Sequence, residues 1–366
     1  MAALRQLAAL LLLLAFAPGA WGQTADWQKT WDETLAAARK EGKVVIAGSP
    51  DPVMRNDIIP AFTARYGIPV EYIAGQSAQI AARVRTERSS GIYAMDIYMA
   101  GASTSVNVLY AEQLIDPLKP LLLLPEVTDG SKWKRGQPWF ADPEQQYILM
   151  LFSRVDGLIF INTAYVKPDE MRAATDLLNP KWMGKIATED PNASGSGSNG
   201  SVHFYSQMGP EFIKKLYIDQ KPLITRDRRL LIDGLARGTY PICLTCRADD
   251  ARALQDAGFQ LLEIYDLEGM QNRVNSAPFL LTVANKAPHP NAARVFVNWL
   301  ATKEALEIYS RNFNSATLRT DVDESFLNPH TVPRPGVTYP DDTDLDWVAS
   351  GRRDAAEKVR ELLKKH

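Results

Sequence analysis

The chain has 366 residues, 46% of them apolar, enough for a sizeable core and, by length, for two ordinary domains. Lysine plus arginine (41) nearly balance aspartate plus glutamate (43), which excludes a global cationic field for nucleic acid and leaves only local basic surfaces. No paired C-x-x-C and no histidine cluster accompanies the two cysteines, so zinc is not expected.

The N-terminus carries the first signal. Arg5 supplies a positive start, Leu7 to Ala17 is an apolar run of signal-peptide length, and Pro18-Gly19 breaks it before Ala20-Trp21-Gly22. Residues 1–22 read as a signal peptide cut before Gln23, with an uncleaved anchor as the alternative, for which the run is short. No cysteine follows the run, so a lipid anchor is not expected. The mature chain is then periplasmic if the host has an outer membrane, and no later stretch is long and apolar enough to span a bilayer.

Trp27 to Lys40 has helical spacing, and Lys43 to Gly48 reads as a buried strand. A helix then ends near Tyr66-Gly67, Ile68 to Ala74 is a second strand, Ser77 to Ser89 a helix, and Met95 to Ala100 a third strand. This alternation predicts an α/β protein with a mostly parallel sheet. Residues 126–146 are rich in turn formers and read as a surface crossing. Tyr147 to Phe152 and Gly157 to Asn162 read as a strand pair, and Lys185 to Thr188 as a further strand. A second α/β unit follows to about Tyr265. Pro278 to Ala284 is another strand, Ala292 to Tyr309 a strong helix with Thr302 its one polar residue at core spacing, and Arg352 to Lys365 a charged helix. No internal repeat is visible.

Cys243 and Cys246 sit three apart. A bridge between them requires a turn at Leu244-Thr245, because residues three apart in a strand lie roughly 10 Å apart. Spacing leaves open whether the bridge forms. A redox role rests on a lone C-x-x-C, which is weak.

Several segments in order, Ala37 to Val45, Phe62 to Val70, Asp176 to Ile186, Ala287 to Ala293, Phe296 to Trp299 and Leu318 to Val322, resemble those of extracellular solute-binding proteins of family 1, in the iron(III)- or organophosphonate-type subgroup of ABC-transporter binding proteins. The resemblance implies a two-lobed, type II periplasmic-binding fold with a cleft and two crossing strands. Lobe I would comprise residues 23–125 plus 275–366, and lobe II residues 126–274. It further implies closure by a hinge motion and docking of a monomer on a permease in the inner membrane. The ATPase would be a separate polypeptide, since no phosphate loop occurs here.

Ligands of open α/β sheets collect beyond the carboxyl ends of strands. Ser49 follows the first strand, Gln76 and Ser77 the second, and Ser103 and Thr104 the third. Each is placed either to cap the next helix or to help bind an anion there. The polar run from Asn192 to Ser201 carries Gly195, Gly197 and Gly200 at G-x-G-x-x-G spacing. That is weak as a dinucleotide fingerprint, but its glycines allow close backbone approach, with Ser194, Ser196 and Ser198 as donors. Arg226, at a loop-to-helix junction, and Thr245 with Arg247, after the strand Tyr240 to Leu244, complete the candidates. Guanidinium forks suit carboxylate or phosphonate oxygens.

The leading reading is capture of a small organic anion without a cofactor, a resident metal or catalysis. The alternative is ferric iron, whose binders in the resembling group commonly supply tyrosinates. Here only Tyr205 stands in the corresponding region, where many of those proteins carry an adjacent tyrosine pair. A third reading, a secreted hydrolase, finds no G-x-S-x-G or H-E-x-x-H motif.

Overall fold

A computed structural model describes residues 20–157, 159–193, 195–276, 278–341 and 343–364. Residues 1–19 of the expected leader lie outside the described residues. No described helix is long and apolar enough to cross a membrane.

The chain opens with α1 (Ala20–Glu41), β1 (Val44–Gly48), α2 (Ile59–Tyr66), β2 (Val70–Ala74), α3 (Ser77–Ser89) and β3 (Ile97–Ala100). A single turn, α4 (Ala102–Thr104), continues as a wide helical coil to Tyr110. Then come β4 (Ile115–Asp116), α5 (Pro125–Thr128), β5 (Trp139–Phe140), β6 (Leu149–Met150) and β7 (Arg154–Val155). The middle of the chain holds β8 (Ile159–Asn162), β9 (Ile186–Glu189), α6 (Ser196–Lys214), β10 (Leu223–Thr225), α7 (Arg228–Arg237), β11 (Ile242–Cys243), α8 (Ala248–Asp256) and β12 (Leu261–Ile264). The remainder holds β13 (Val274–Asn275), β14 (Leu280–Ala284), α9 (Pro290–Leu300), α10 (Lys303–Phe313) and α11 (Arg352–Leu363).

These strands form two mixed sheets. The first runs β2–β1–β3–β14–β6–β5, with β4 also on β14, and the second runs β10–β9–β11–β8–β12. β1 lies parallel between β2 and β3, and β14 is antiparallel to β3 with Leu281 opposite Met99. In the second sheet β9 lies parallel between β10 and β11, and β8 is antiparallel to β11. The two sheets thus share one plan that no sequence repeat betrays, since hydrogen-bond topology constrains apolar pattern and not residue identity. Each sheet has its own core. Phe62 packs 5.0 Å from Phe296 and 5.4 Å from Trp299 in the first, and Ile186, Phe204, Leu216 and Ile242 close the second. Each such side chain contributes about 1.5–3 kcal/mol on burial.

Between the sheets, β7 and β13 form an antiparallel ribbon, with Val274 opposite Val155 and Asn275 opposite Arg154. The expected pairing of residues 147–152 with 157–162 does not form. β6 joins the first sheet and β8 the second, because the chain crosses between them at β7. An apolar run announces a strand but not its partner. For the same reason residues 139–150 hydrogen-bond into the first sheet, beyond the expected boundary at residue 125. The stretch 126–146 is also more than a surface crossing: Val127, Trp133 and Phe140 are buried, and Trp133 Nε1 donates to the Val127 carbonyl at 2.8 Å. The helix expected over 292–309 is broken into α9 and α10. Thr302 turns extended there, and its Oγ1 accepts from Ala305 N at 3.3 Å, so it caps α10.

Candidate functional site

A cavity of about 300 Å³ lies where the β7–β13 ribbon meets the carboxyl ends of β9 and β11. One wall is the ribbon and its flanks, with Arg154, Asp156, Arg273 and Asn275. A second is the first turns of α6, with Ser196, Asn199 and His203. A third is Thr245, Cys246 and Arg247, leading into α8. Glu263 of β12 and Phe313 at the end of α10 close it. Positions 196, 199 and 203 share a helix face by their spacing.

Local chemistry explains how the walls meet. A Cβ on Gly197 would lie 2.4 Å from the Asp190 carbonyl oxygen, and one on Gly200 would lie 2.8 Å from Thr245 Cγ2. Only glycine lets α6 lie this close to the strand ends. Cys243 and Cys246 are disulfide-bonded with Cα atoms 5.7 Å apart, which pins the intervening turn. Thr245 Oγ1 accepts from Glu189 N at 2.7 Å, tying that turn to the end of β9.

The electrostatics centre on Arg154, whose side chain is 9% exposed. It lies 3.6 Å from Glu263 and 3.7 Å from Asp156, both beyond hydrogen-bond reach, and its Nε is buried without a hydrogen-bond partner. Burial opposes its charge, but Glu263 and Asp156 outweigh that and raise its pKa. Burial raises the Glu263 carboxyl above the usual range, with Arg154 pulling against it. Glu263 also accepts from Gly157 N at 3.0 Å. Arg273 pairs with Asp156 at 3.3 Å and donates to the Asn199 carbonyl at 3.3 Å. Three guanidiniums thus line the cavity against two carboxylates, Asp156 and Glu263, and the N-termini of α6 and α8 open on it. One of those N-termini already carries a protein carboxylate: Glu189, its pKa raised by burial, accepts from Gly197 N.

Of the residues singled out from sequence, the cavity gathers Ser196, Thr245 and Arg247. Ser194 lies outside the described residues. Ser198 sits in the first turn of α6, where its carbonyl accepts from Ser201 Oγ at 3.1 Å. Tyr205 falls on the opposite face of α6 and packs against the second core. Arg226 is 72% exposed and pairs with Asp190 at 2.8 Å. The five residues after β1, β2 and β3 serve local structure or solvent and are not among the cavity's lining. The Ser49 carbonyl accepts from Tyr72, Gln76 forms a capping box with Gln79, and Ser77 Oγ accepts from Gly101 N at 3.5 Å. Ser103 is exposed and Thr104 half-buried in α4. Arg154, Asp156, Asn199, Glu263 and Arg273 line the cavity without belonging to any motif or strand-end position singled out in the sequence. The available signal was a charged residue inside an apolar run, as at Arg154.

Among the described residues no group of three or more His, Cys, Asp or Glu is placed to hold a metal, and no tyrosine lines the cavity. The described histidines are anchored separately. His203 Nε2 bonds the Gln271 carbonyl at 2.8 Å, His289 pairs with Asp96 at 2.9 Å, and His330 faces Asp266 at 3.6 Å.

A family model described as bacterial extracellular solute-binding protein matches residues 43–313. The chain belongs to that family. This solute-binding protein is a binder and not an enzyme. It is 23% identical over 131 residues to iron uptake protein A1 of Synechocystis sp. (strain ATCC 27184 / PCC 6803 / Kazusa), a match that covers 36% of this chain and a third (33%) of that protein's length. Its fold is that of periplasmic binding proteins. It matches AfuA from Actinobacillus pleuropneumoniae with fructose-6-phosphate bound (TM-score 0.64, 17% identity, 88% of this chain and 99% of that one). It also matches apo ferric ion-binding protein A from Pasteurella haemolytica (TM-score 0.65, 14% identity, 88% and 98%).

Proposed function

We propose that this solute-binding protein captures a small organic oxyanion, of carboxylate or phosphonate type, and delivers it to an ABC permease in the inner membrane. The observation that carries this is Arg154: a buried guanidinium whose Nε makes no hydrogen bond and lies 3.7 Å from Asp156, at a cavity bordered by two further arginines and the N-terminus of α8. Such a group lacks an acceptor that a ligand oxygen supplies. The cavity volume suits a small molecule, and a phosphorylated ligand is seen in the AfuA relative. The two lobes, residues 23–125 plus 275–366 and residues 126–274 with strands β5 and β6 reassigned to the first, rotate about the β7–β13 ribbon to close on it. The test is thermal unfolding of protein stripped of co-purified ligand, against carboxylates, phosphonates and sugar phosphates. Anions that bind only the native state raise the midpoint; a broad screen without a shift counts against the reading.

Ferric iron is the second reading. Ferric proteins recur among the structural relatives, and the Synechocystis relative is named for iron uptake. With no tyrosine in the cavity lining, iron would arrive with an anion that completes its shell, as iron and citrate occur together in one relative. Visible charge-transfer absorption on adding ferric citrate supports direct tyrosinate ligation. Iron bound without that band points to the chelate, and colourless protein that takes up no iron excludes both.

A further inference from the structure

The tail adds a third connection between the lobes, beyond the two strands of the ribbon. Val274 N of β13 donates to the Pro340 carbonyl at 2.8 Å, and Asp341 bridges to Val274. Val348 then buries itself in the first core, and its carbonyl accepts from Asn107 at 3.0 Å. The helix continues without a break from Trp347 through α11 and packs along α6, where Leu362 and Leu363 rest on the second core. From Val348 to Leu362 that is about 21 Å of helix. On the way, Arg352 donates to Asn199 Oδ1, and the backbone carbonyl of Asn199 accepts from Arg273, which pairs with Asp156. A polar chain therefore runs from tail to ribbon along the cavity wall. The family model ends at residue 313, before this segment.

We infer that the helix from Trp347 to Leu363 is a latch between the lobes, and that Arg352 is a positioning residue for the ligand cavity. Arg352 fixes Asn199 so that the first turn of α6 faces the ribbon arginines. A helix seated in both cores cannot remain docked at both ends through a hinge rotation, so opening releases the Leu362–Leu363 end. Only the positioning role rests on the anion reading; the latch does not.

The test uses the chain from Gln23 with spin labels at Ser90→Cys and Arg237→Cys, one exposed position beside each sheet. In the Leu362→Glu, Leu363→Glu variant the interlobe distances lengthen and broaden without any ligand. Arg352→Ala weakens binding of citrate, the probe anion, about tenfold, and Arg352→Lys recovers most of it. Unchanged distances in the folded double variant overturn the latch, and citrate binding unchanged in Arg352→Ala overturns the positioning role. If the double variant does not fold, hydrogen exchange of the unaltered chain decides. Protection of Leu362–Leu363 between that of unstructured chain and that of α6 supports a latch that docks and releases, and protection equal to α6 or none overturns it. Failure of the unaltered chain to bind citrate counts against the anion reading and the positioning role together, and the distance measurement then decides the latch alone.

Discussion

Replacing Arg154 with methionine keeps most of the side-chain volume and removes the charge. Two effects follow, and they separate by pH. A guanidinium offering two charge-assisted hydrogen bonds to an oxyanion contributes about 3 kcal/mol at the low end, so Kd weakens roughly a hundredfold. The fold also loses the partner of Glu263, and breaking a buried pair costs about 3–5 kcal/mol when the remaining charge stays ionised. Glu263 has a way out. Burial already holds its carboxyl above the usual range, and Arg154 was the main pull in the other direction. Without that pull the folded-state pKa rises further. A carboxyl whose folded pKa exceeds its unfolded value, about 4.3, contributes stability that is complete below that value and lost as pH climbs through the folded pKa. Arg154→Met is therefore most destabilised at pH 8 and least at pH 5. Adding Glu263→Gln recovers much of the loss at pH 8, because no charge is then left unpaired. Urea unfolding at the two pH values and calorimetric titration with an anion found by the stability screen measure both effects. Binding within threefold of the unaltered chain, or an equal stability loss at both pH values, rules out these roles for Arg154.

Other perturbations test the surrounding structure. Gly200→Ala pushes a Cβ to 2.8 Å from Thr245 Cγ2, so it costs about 1–3 kcal/mol in urea unfolding and weakens anion binding together with stability. Replacing Cys243 and Cys246 by serine opens a four-residue loop whose closure is worth about 2 kcal/mol on the chain-entropy model. Because that turn carries Thr245 and Arg247, titration shows anion affinity falling as well. Thr302→Ala removes the cap between α9 and α10 and costs about 1 kcal/mol by thermal unfolding. Thr302 is 4% exposed in the first core, away from the cavity lining, so anion affinity stays unchanged.

The first three strands and their helices were legible because each is a local pattern: a buried run such as Val44 to Gly48, then amphipathic spacing, then a turn. Strand partners were not. β6 and β8 are close in sequence and lie in different sheets, since two residues of ribbon divert the chain between them. The break at Thr302 left a mark, one polar residue at core spacing, but whether such a residue is tolerated in a helix or ends it depends on the cap it forms. Of the positions singled out by the rule that loops after parallel strands face ligand, Ser196, Thr245 and Arg247 lie on the cavity wall. The same rule selected Ser49, Gln76, Ser77, Ser103 and Thr104, which stand at equivalent strand ends but are taken by local hydrogen bonds or left exposed. The charged centre was hidden for another reason. Arg154, Asp156, Glu263 and Arg273 come from three separated segments that meet only when the ribbon forms, and no spacing in the chain records that meeting.

Capture of an anion through Arg154 can be seen on the protein as it leaves the cell. Native mass spectrometry of the chain purified without denaturation tests it most directly, run beside Arg154→Met made in the same cells. The expected result is a small anionic molecule on the unaltered chain, released on unfolding, and little or none on the variant. Equal occupancy of both proteins, or a bare ferric ion as the only adduct, contradicts it.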